Sequence, residues 1–294
     1  MRSPSFITRS KSRKAGLLFL SFAFLLFTYA ASAQRVAILT PDNSDQSKAF
    51  AESLYEALST KLKVIDRDLS EAAFNSKKPA DPFNMTTDES RRVGAVIGCD
   101  QLILIRSANQ RRNASGRGEY YEAYAVIYVV SSRTGRLIHW ALHKYEATNS
   151  PAADRSLNAA APFVADEIKE KICTASKGEV VEPPAPIMEE PPATNSPEAK
   201  NFIAPIPFRR IKPEYTAQAA FYEVAATIEI MVDLDAAGKI LRTEIVRWAG
   251  YGLDESVDKT VRQMNWRPAE RNGKTLPMRF LLRYNFKKVD KQPL

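Results

Sequence analysis

The hydrophobic positions of residues 34–178 follow two periods and predict strands alternating with helices. Residues 35–40 and 101–106 are short apolar runs, typical of buried strands. Between them an apolar side chain recurs at every fourth position, which predicts a helix with one buried face. These side chains are Phe50, Leu54, Leu58 and Leu62.

The remainder of this region predicts a sheet closed by a hairpin and a helix. In order, the patterns indicate a short strand at 64–65, a helix at 87–98, a polar loop at 109–118, a β-hairpin at 120–131 and 136–146, and a helix at 154–173. With the first strand and helix, these elements begin as βαβαβ. The sequence therefore predicts an amino-terminal mixed α/β sandwich.

A change of composition separates this region from the rest of the chain. Residues 179–200 hold six prolines and five glutamates and no aromatic residue. Because proline fixes φ and the glutamates repel one another, we expect an extended linker. It separates about 145 residues (34–178) from about 94 (201–294), and each part is long enough for a hydrophobic core of its own.

The carboxy-terminal part alternates apolar and polar residues in a ββαβ order. Residues 225–233 and 239–248 predict a hairpin, a helix follows from Asp254, and 276–287 predict the last strand. In that strand one face is largely aromatic, and Arg279, Leu281, Arg283 and Asn285 are on the other. The pattern predicts a three-stranded antiparallel sheet with one helix, an α+β unit.

Charge does not favour nucleic-acid binding, although the formal net charge is +8. Five of the 42 basic residues precede the first long apolar run, and residues 1–33 contain no acid. The other 37 basic residues therefore face 34 acidic ones, a small excess. Nucleic acid requires a concentrated basic face, so no nucleic-acid partner is expected.

The first 33 residues have the three regions of a secretory signal. A basic stretch precedes an apolar run from Gly16, and Ala31-Ser32-Ala33 is a cleavage motif. We expect cleavage after Ala33 and a location in the periplasm or cell envelope. The alternative is an uncleaved inner-membrane anchor, since the apolar run of about 18 residues is within the range of a membrane-spanning helix.

Residues with catalytic or metal-binding chemistry do not form a known motif. His139 and His143 are in one predicted strand, about 13 Å apart at roughly 3.3 Å per residue, too far to share a metal. Cys99 and Cys173 leave two readings open, a disulfide bond or two free thiols. We expect no enzyme activity, no cofactor and no metal.

Several motifs follow one another in residues 207–288. Their structural residues are Tyr215, Gly238, Gly250, Leu253, Asp254, Trp266, Pro268, Ala269, Gly273 and Phe286. In the order and spacing of these motifs, residues 207–288 resemble the TonB carboxy-terminal domain family. Residues 35–173 have a weaker resemblance to CsgG-like and TolB amino-terminal envelope domains, which implies partner binding or oligomerisation.

The TonB resemblance implies recognition of a protein partner. In that family the domain accepts an extended segment along the edge of its sheet, a form of β-augmentation. The corresponding partner-binding residues here are Arg279, Leu281, Arg283, Asn285 and Lys287. The alternative is that these charged side chains only protect the edge from aggregation.

Two functions remain after these observations. The first is an exported envelope adaptor that binds a protein by strand augmentation, with a link to outer-membrane transport as one form. The energised family members carry a histidine in a membrane anchor, whereas both histidines here are far from the apolar segment. The second is a structural or secretion-associated component that forms homo-oligomers without transducing energy.

Overall fold

The computed structural model describes residues 34–116, 118–181 and 188–287. The predicted signal peptide with its cleavage point at Ala33, and residues 182–187 of the predicted linker, lie outside this part of the chain. The described residues from Gln34 onward form one compact unit. Among them, no helix combines the length and the apolar character needed to cross a bilayer.

The first half of the chain forms a five-stranded mixed sheet with helices. Its elements are β1 (Arg35–Leu39), α1 (Asp45–Ser59), β2 (Lys63–Val64), α2 (Arg67–Ser76), α3 (Thr87–Ile97), β3 (Gln101–Ala114), β4 (Gly118–Ser131), β5 (Leu137–Ala147), α4 (Ser150–Ala159) and α5 (Ala161–Val181). The strand order is β2-β1-β3-β4-β5. β1 is parallel to both of its neighbours, whereas β3, β4 and β5 are antiparallel. The predicted mixed α/β character is confirmed.

Three elements of this half differ from the prediction. The predicted polar loop at 109–118 is wrong, because β3 and β4 pair residue by residue as far as Ala114 and Gly118. Their ends carry mostly polar side chains on both faces, so hydrophobic alternation is lost while backbone pairing continues. Helix α2 was not predicted, and the predicted helix at 154–173 is two helices, α4 and α5.

The sheet is covered on both faces. On one face α1, α4 and α5 pack against the sheet, with Phe50, Leu157 and Ile168 in the buried cluster. On the other face the sheet contributes Tyr124 and Tyr128 to a second cluster. This second cluster continues into the second half of the chain.

The second half is built around a three-stranded antiparallel sheet. Its elements are β6 (Phe202–Ile203), β7 (Ile206–Pro207), α6 (Ala217–Phe221), β8 (Ala226–Leu234), β9 (Ile240–Arg247), α7 (Leu253–Arg262), β10 (Trp266–Arg267), β11 (Ala269–Arg271), β12 (Lys274–Leu276) and β13 (Met278–Phe286). The main sheet has the order β13-β8-β9. Short pairs join β7 to β10 and β11 to both β6 and β12. The predicted last strand, 276–287, is interrupted at Pro277, which has no N–H to donate.

Helix α7 covers the inner face of this sheet. Leu253, Val257 and Val261 are fully buried in one hydrophobic cluster with Ile228 and Ile230 of β8. The acidic first turn and basic last turn of α7 complement the helix dipole. The apolar residues of this helix, spaced four positions apart, therefore form its buried face.

One hydrophobic cluster includes residues from both predicted domains. The Trp248 ring, only 1% exposed, lies 5.6 Å from that of Tyr128, and the Tyr251 ring lies 4.7 Å from that of Trp140. The division of the chain at 34–178 and 201–294 remains a prediction. In this structure the two segments share apolar packing.

Backbone pairing also joins the two halves. The buried Asn84 side chain donates to the carbonyl oxygens of Thr227 (2.9 Å) and Trp248 (2.6 Å) and accepts from the Thr227 N–H (2.9 Å). The Trp248 N–H donates to Met85, and Thr86 forms an antiparallel bridge with Arg247. Residues 84–86 thus extend the sheet at the Arg247 end of β9.

Candidate functional site

Strand β13 forms one edge of the three-stranded sheet. It pairs antiparallel with β8 over its full length, from Met278 opposite Leu234 to Phe286 opposite Ala226, without a bulge. Within the described residues, no second strand pairs with its other side. The segment predicted to bind a partner therefore lies in an edge strand of this sheet.

One hydrogen bond shows which backbone groups of β13 point outward from the sheet. The Arg279 N–H donates to the Glu189 carbonyl oxygen at 2.8 Å, away from β8. Because backbone groups alternate in direction along an antiparallel strand, those of Leu281, Arg283 and Asn285 point the same way. No described residue pairs with the backbone of these three. They form the outward row, a name used below for the backbone groups of residues 281, 283 and 285.

The arginine side chains on β13 are engaged within the sheet. Arg279 binds Asp233 through two parallel bonds of 2.7 Å, and Arg283 Nε donates to Glu229 at 2.7 Å. Both carboxylates lie in β8, 2% and 5% exposed for Asp233 and Glu229. A buried carboxylate requires a paired cation, so these arginines have a structural role within the sheet. The Asp233 bond also raises the pKa of Arg279.

The exposed side chains at this edge are one apolar and three polar ones, and the Arg283 side chain is 61% exposed although it pairs with Glu229. The Leu281 side chain is 46% exposed, and Asn285 and Lys287 are exposed as well. Asn285 accepts a bond from Thr227 at 2.8 Å. Assignment of Arg279, Leu281, Arg283, Asn285 and Lys287 to partner binding stays a prediction. The geometry favours backbone pairing over contacts through Arg279.

The inner face of β13 holds the strand in register. Met278, Phe280 and Phe286 are buried. The Trp266 ring meets that of Phe280 at 5.1 Å, and the Tyr215 ring stacks on Phe286 at 6.1 Å. A slip by one residue would expose this apolar set, so the outward row is positioned firmly.

The predicted motif residues are at turns and in the core around this strand. Gly238 and Gly273 lie in the β8–β9 and β11–β12 turns, and Gly250 precedes α7. Leu253 and Ala269 are fully buried, and Pro268 lies between β10 and β11. The Tyr215 hydroxyl lies within hydrogen-bond distance of the carbonyl oxygens of Ala219 (3.1 Å) and Val224 (2.9 Å), which holds α6 in place.

A buried charged group lies where α6 meets the first half. The Glu122 side chain is fully buried and is 3.2 Å from Arg112, 3.6 Å from Lys144 and 3.3 Å from the Tyr222 hydroxyl. The Arg112 guanidinium lies 4.5 Å from the Phe221 ring centre. Burial and Glu122 raise the pKa of Tyr222. No local motif indicates this group in the sequence, because its members are far apart in the chain.

The two cysteines are free thiols, and the two histidines contact an acidic side chain. Both thiols are free, with Cys99 buried and Cys173 exposed on α5, so the disulfide that the sequence left open is not formed. Burial raises the pKa of Cys99 to about 11. His139 and His143 both contact Glu167, at 2.8 and 3.2 Å, and burial lowers the pKa of His143. Within the described residues, no group of these side chains and acids is placed to hold a metal.

Asp254 closes the turn before α7. Its carboxylate accepts from the N–H groups of Ala249 (3.0 Å) and Gly250 (2.7 Å). Burial raises its pKa from 3.8 to about 7, although these bonds oppose the change. The neutral form is therefore favoured in the folded chain at mildly acidic pH.

We expect this carboxyl to destabilise the fold as pH rises. Below about pH 4 Asp254 is neutral in both states. Between about pH 4 and 7 it ionises in the unfolded chain but not in the folded one, so the free energy of unfolding falls by roughly 3 kcal/mol. Urea unfolding of the wild type and of Asp254→Asn across this range measures the effect. Equal pH dependence in the two proteins would contradict it.

The three-stranded sheet and helix α7 form a ββαβ unit with β13 at one edge. Residues 211–287 match the family model of the Gram-negative bacterial TonB protein C-terminal domain. The resemblance inferred from the sequence for this part of the chain is confirmed. Comparison with curated proteins found no match.

Comparison with solved structures found matches that cover part of this chain. The Pseudomonas aeruginosa TonB carboxy-terminal domain is 15% identical, with 34% of this chain and 94% of that chain covered and a TM-score of 0.26. Lipoprotein GNA1162 from Neisseria meningitidis is 14% identical, with 45% and 96% covered and a TM-score of 0.31. The LpoB C-terminal domain from Salmonella enterica is 13% identical, with 40% and 86% covered and a TM-score of 0.27.

Proposed function

We propose that the protein is an exported adaptor of the cell envelope that binds another protein by strand augmentation at β13. The observation that carries this proposal is the outward row on a strand held rigidly from its inner face. The function is binding, without catalysis. A partner strand that pairs there gains main-chain hydrogen bonds while β13 stays unchanged.

Two further observations support the proposal. The family match covers the strand, its helix and the motifs around them. The signal sequence pattern, with its cleavage motif at Ala33, supports export of the folded part of the chain. A role in outer-membrane transport is one form of this function, and the partner would then be a transporter.

Leu281→Pro is expected to abolish partner binding at the edge. The proline removes an outward N–H without breaking a bond to β8, because edge strands tolerate proline where the N–H faces away from the sheet. The ring also fills the path of the incoming strand, so affinity should fall at least about tenfold. Leu281→Ala is the matched control, since it shortens the same side chain but keeps the N–H.

A displayed library of random twelve-residue peptides, selected on the chain from Gln34 onward, supplies the probe. Bound peptides should slow amide hydrogen exchange at Leu281, Arg283 and Asn285, and Leu281→Pro should lose them. Peptides that bind while protecting only other amides would rule out this site. Self-association that Leu281→Pro abolishes, with no peptide bound, would instead support the oligomeric function.

A further inference from the structure

A groove lies directly beside the outward row. It has a volume of about 280 Å³ and is bounded by residues 205–207 and 210–211 on one side and by residues 282–284 of β13 on the other, with Met264 and Trp266 completing its lining. We call it the arm groove. At roughly 30 Å³ per water molecule, it has room for a side chain of moderate size.

One residue that lines the arm groove, Trp266, has a buried indole N–H without an acceptor in the described part of the chain. Trp266 is only 3% exposed. The Nε1 groups of tryptophan usually find an acceptor when buried, and each exception calls for an explanation. Here the unpaired donor belongs to a residue that lines an open groove beside a binding edge.

The other polar groups that line the groove are also donors. Arg210 is exposed at its rim, and burial raises the pKa of the Tyr284 hydroxyl while the charge of Arg210 opposes this rise. Arg283 lies there too, paired with Glu229. None of the described lining residues carries a carboxylate. Such a lining is complementary to an anionic acceptor with an apolar stem.

The register of β13 directs a partner's side chain to this groove. Leu282 and Tyr284 alternate with the residues of the outward row, so their side chains are on the inner face. A strand paired along residues 281–285 places every second side chain on that same face, beside Leu282 and Tyr284. One of these side chains therefore lies at the mouth of the arm groove.

We propose that the arm groove binds the side chain of a glutamate in the segment paired with β13. Its methylene groups pack on Ile211, Met264 and Leu282, and its carboxylate accepts from Trp266 Nε1 and Arg210. Glutamate is favoured over aspartate because its longer stem reaches a buried donor from the edge of the sheet. This inference rests on the proposed function and adds the chemistry of the partner.

Peptides from the library selection provide the test. Those that require the Leu281 amide are synthesised with amidated carboxyl ends, and we expect a glutamate at one fixed position among them. Changing it to glutamine should weaken binding at least about tenfold, since one charge-assisted contact is lost. Trp266→Phe and Arg210→Ala should each reduce this preference, whereas Arg209→Ala, outside the groove, should leave it unchanged.

An indole resonance gives a readout that needs no variant in the groove. The chain has three tryptophans, and the Trp248 indole N–H already donates to the Gly135 carbonyl oxygen. The Trp266 indole N–H signal should move on binding of the glutamate peptide and move less with the glutamine peptide. The Trp248 signal should stay in place with both.

The outcomes separate the two proposals. A library that yields no peptide dependent on the Leu281 amide overturns both of them. Peptides that depend on this amide but show no glutamate preference, or a preference that Trp266→Phe and Arg210→Ala leave intact, overturn only the arm-groove proposal. Loss of binding when the carboxyl end is amidated identifies a terminal carboxylate instead and also overturns it.

Discussion

Trp248→Ala is expected to lower the free energy of unfolding by about 3–5 kcal/mol, the usual range for a buried tryptophan. The ring is almost fully enclosed, its Nε1 donates to Gly135 at 3.2 Å, and it packs near Tyr128 of the first half. The variant loses this apolar contact and leaves a cavity between the two halves. Urea unfolding followed by circular dichroism measures the change.

The same experiment tests the predicted division into domains. If the shared cluster couples the halves, the wild type unfolds in one transition and Trp248→Ala in two or in a broader one. Phe163→Ala is the control, because Phe163 is 65% exposed and its loss should cost less than about 0.5 kcal/mol. A loss below about 1 kcal/mol for Trp248→Ala would show that the halves are stabilised independently.

Gly250→Ala is expected to destabilise the chain by about 3 kcal/mol. Gly250 has φ +73°, which costs roughly 1 kcal/mol for a residue with a side chain. An added Cβ would also overlap the indole ring of Trp140, which packs on Tyr251, and moving that ring adds an overpacking cost of about 1–3 kcal/mol. Thermal and urea unfolding measure the sum.

Gly273→Ala separates the two causes. Gly273 has φ +77°, but no heavy atom lies within 4 Å of the position of an added Cβ. It should therefore cost only the conformational part, about 1 kcal/mol. Trp140→Ala combined with Gly250→Ala should cost less than the sum of the single changes, because the truncated ring leaves room for the methyl group. Full additivity would refute the overlap with Trp140.

Much of the second half could be predicted because its signals are local. Strict alternation in β8 and β13 assigned inward and outward residues correctly, and Phe280 and Phe286 are buried as their positions require. Helix α7 showed its apolar stripe and acidic start. Each of these features depends on residues a few positions apart, so the sequence contains the information directly.

Other parts of the site have no such local signal. Glu229 and Asp233 occupy outward positions of β8, so a binary pattern makes them exposed, yet arginine side chains from neighbouring strands cover them. The pairing of β3 beyond Arg106 depends on the backbone of β4 rather than on apolar side chains. The contact of Asn84 with Trp248 joins segments that lie 164 residues apart. These contacts appear only when the chain has folded.

The hydrogen bond between Glu189 and Arg279 limits where a partner strand can pair with β13. The Glu189 carbonyl oxygen already accepts from the Arg279 N–H, and the Glu189 side chain pairs with Arg271. In the proposed binding mode, a partner strand therefore pairs with β13 no earlier than Leu281 and continues toward Lys287. The segment around Glu189 thus blocks one end of the edge strand, and this sets the register in which a partner strand aligns with β13.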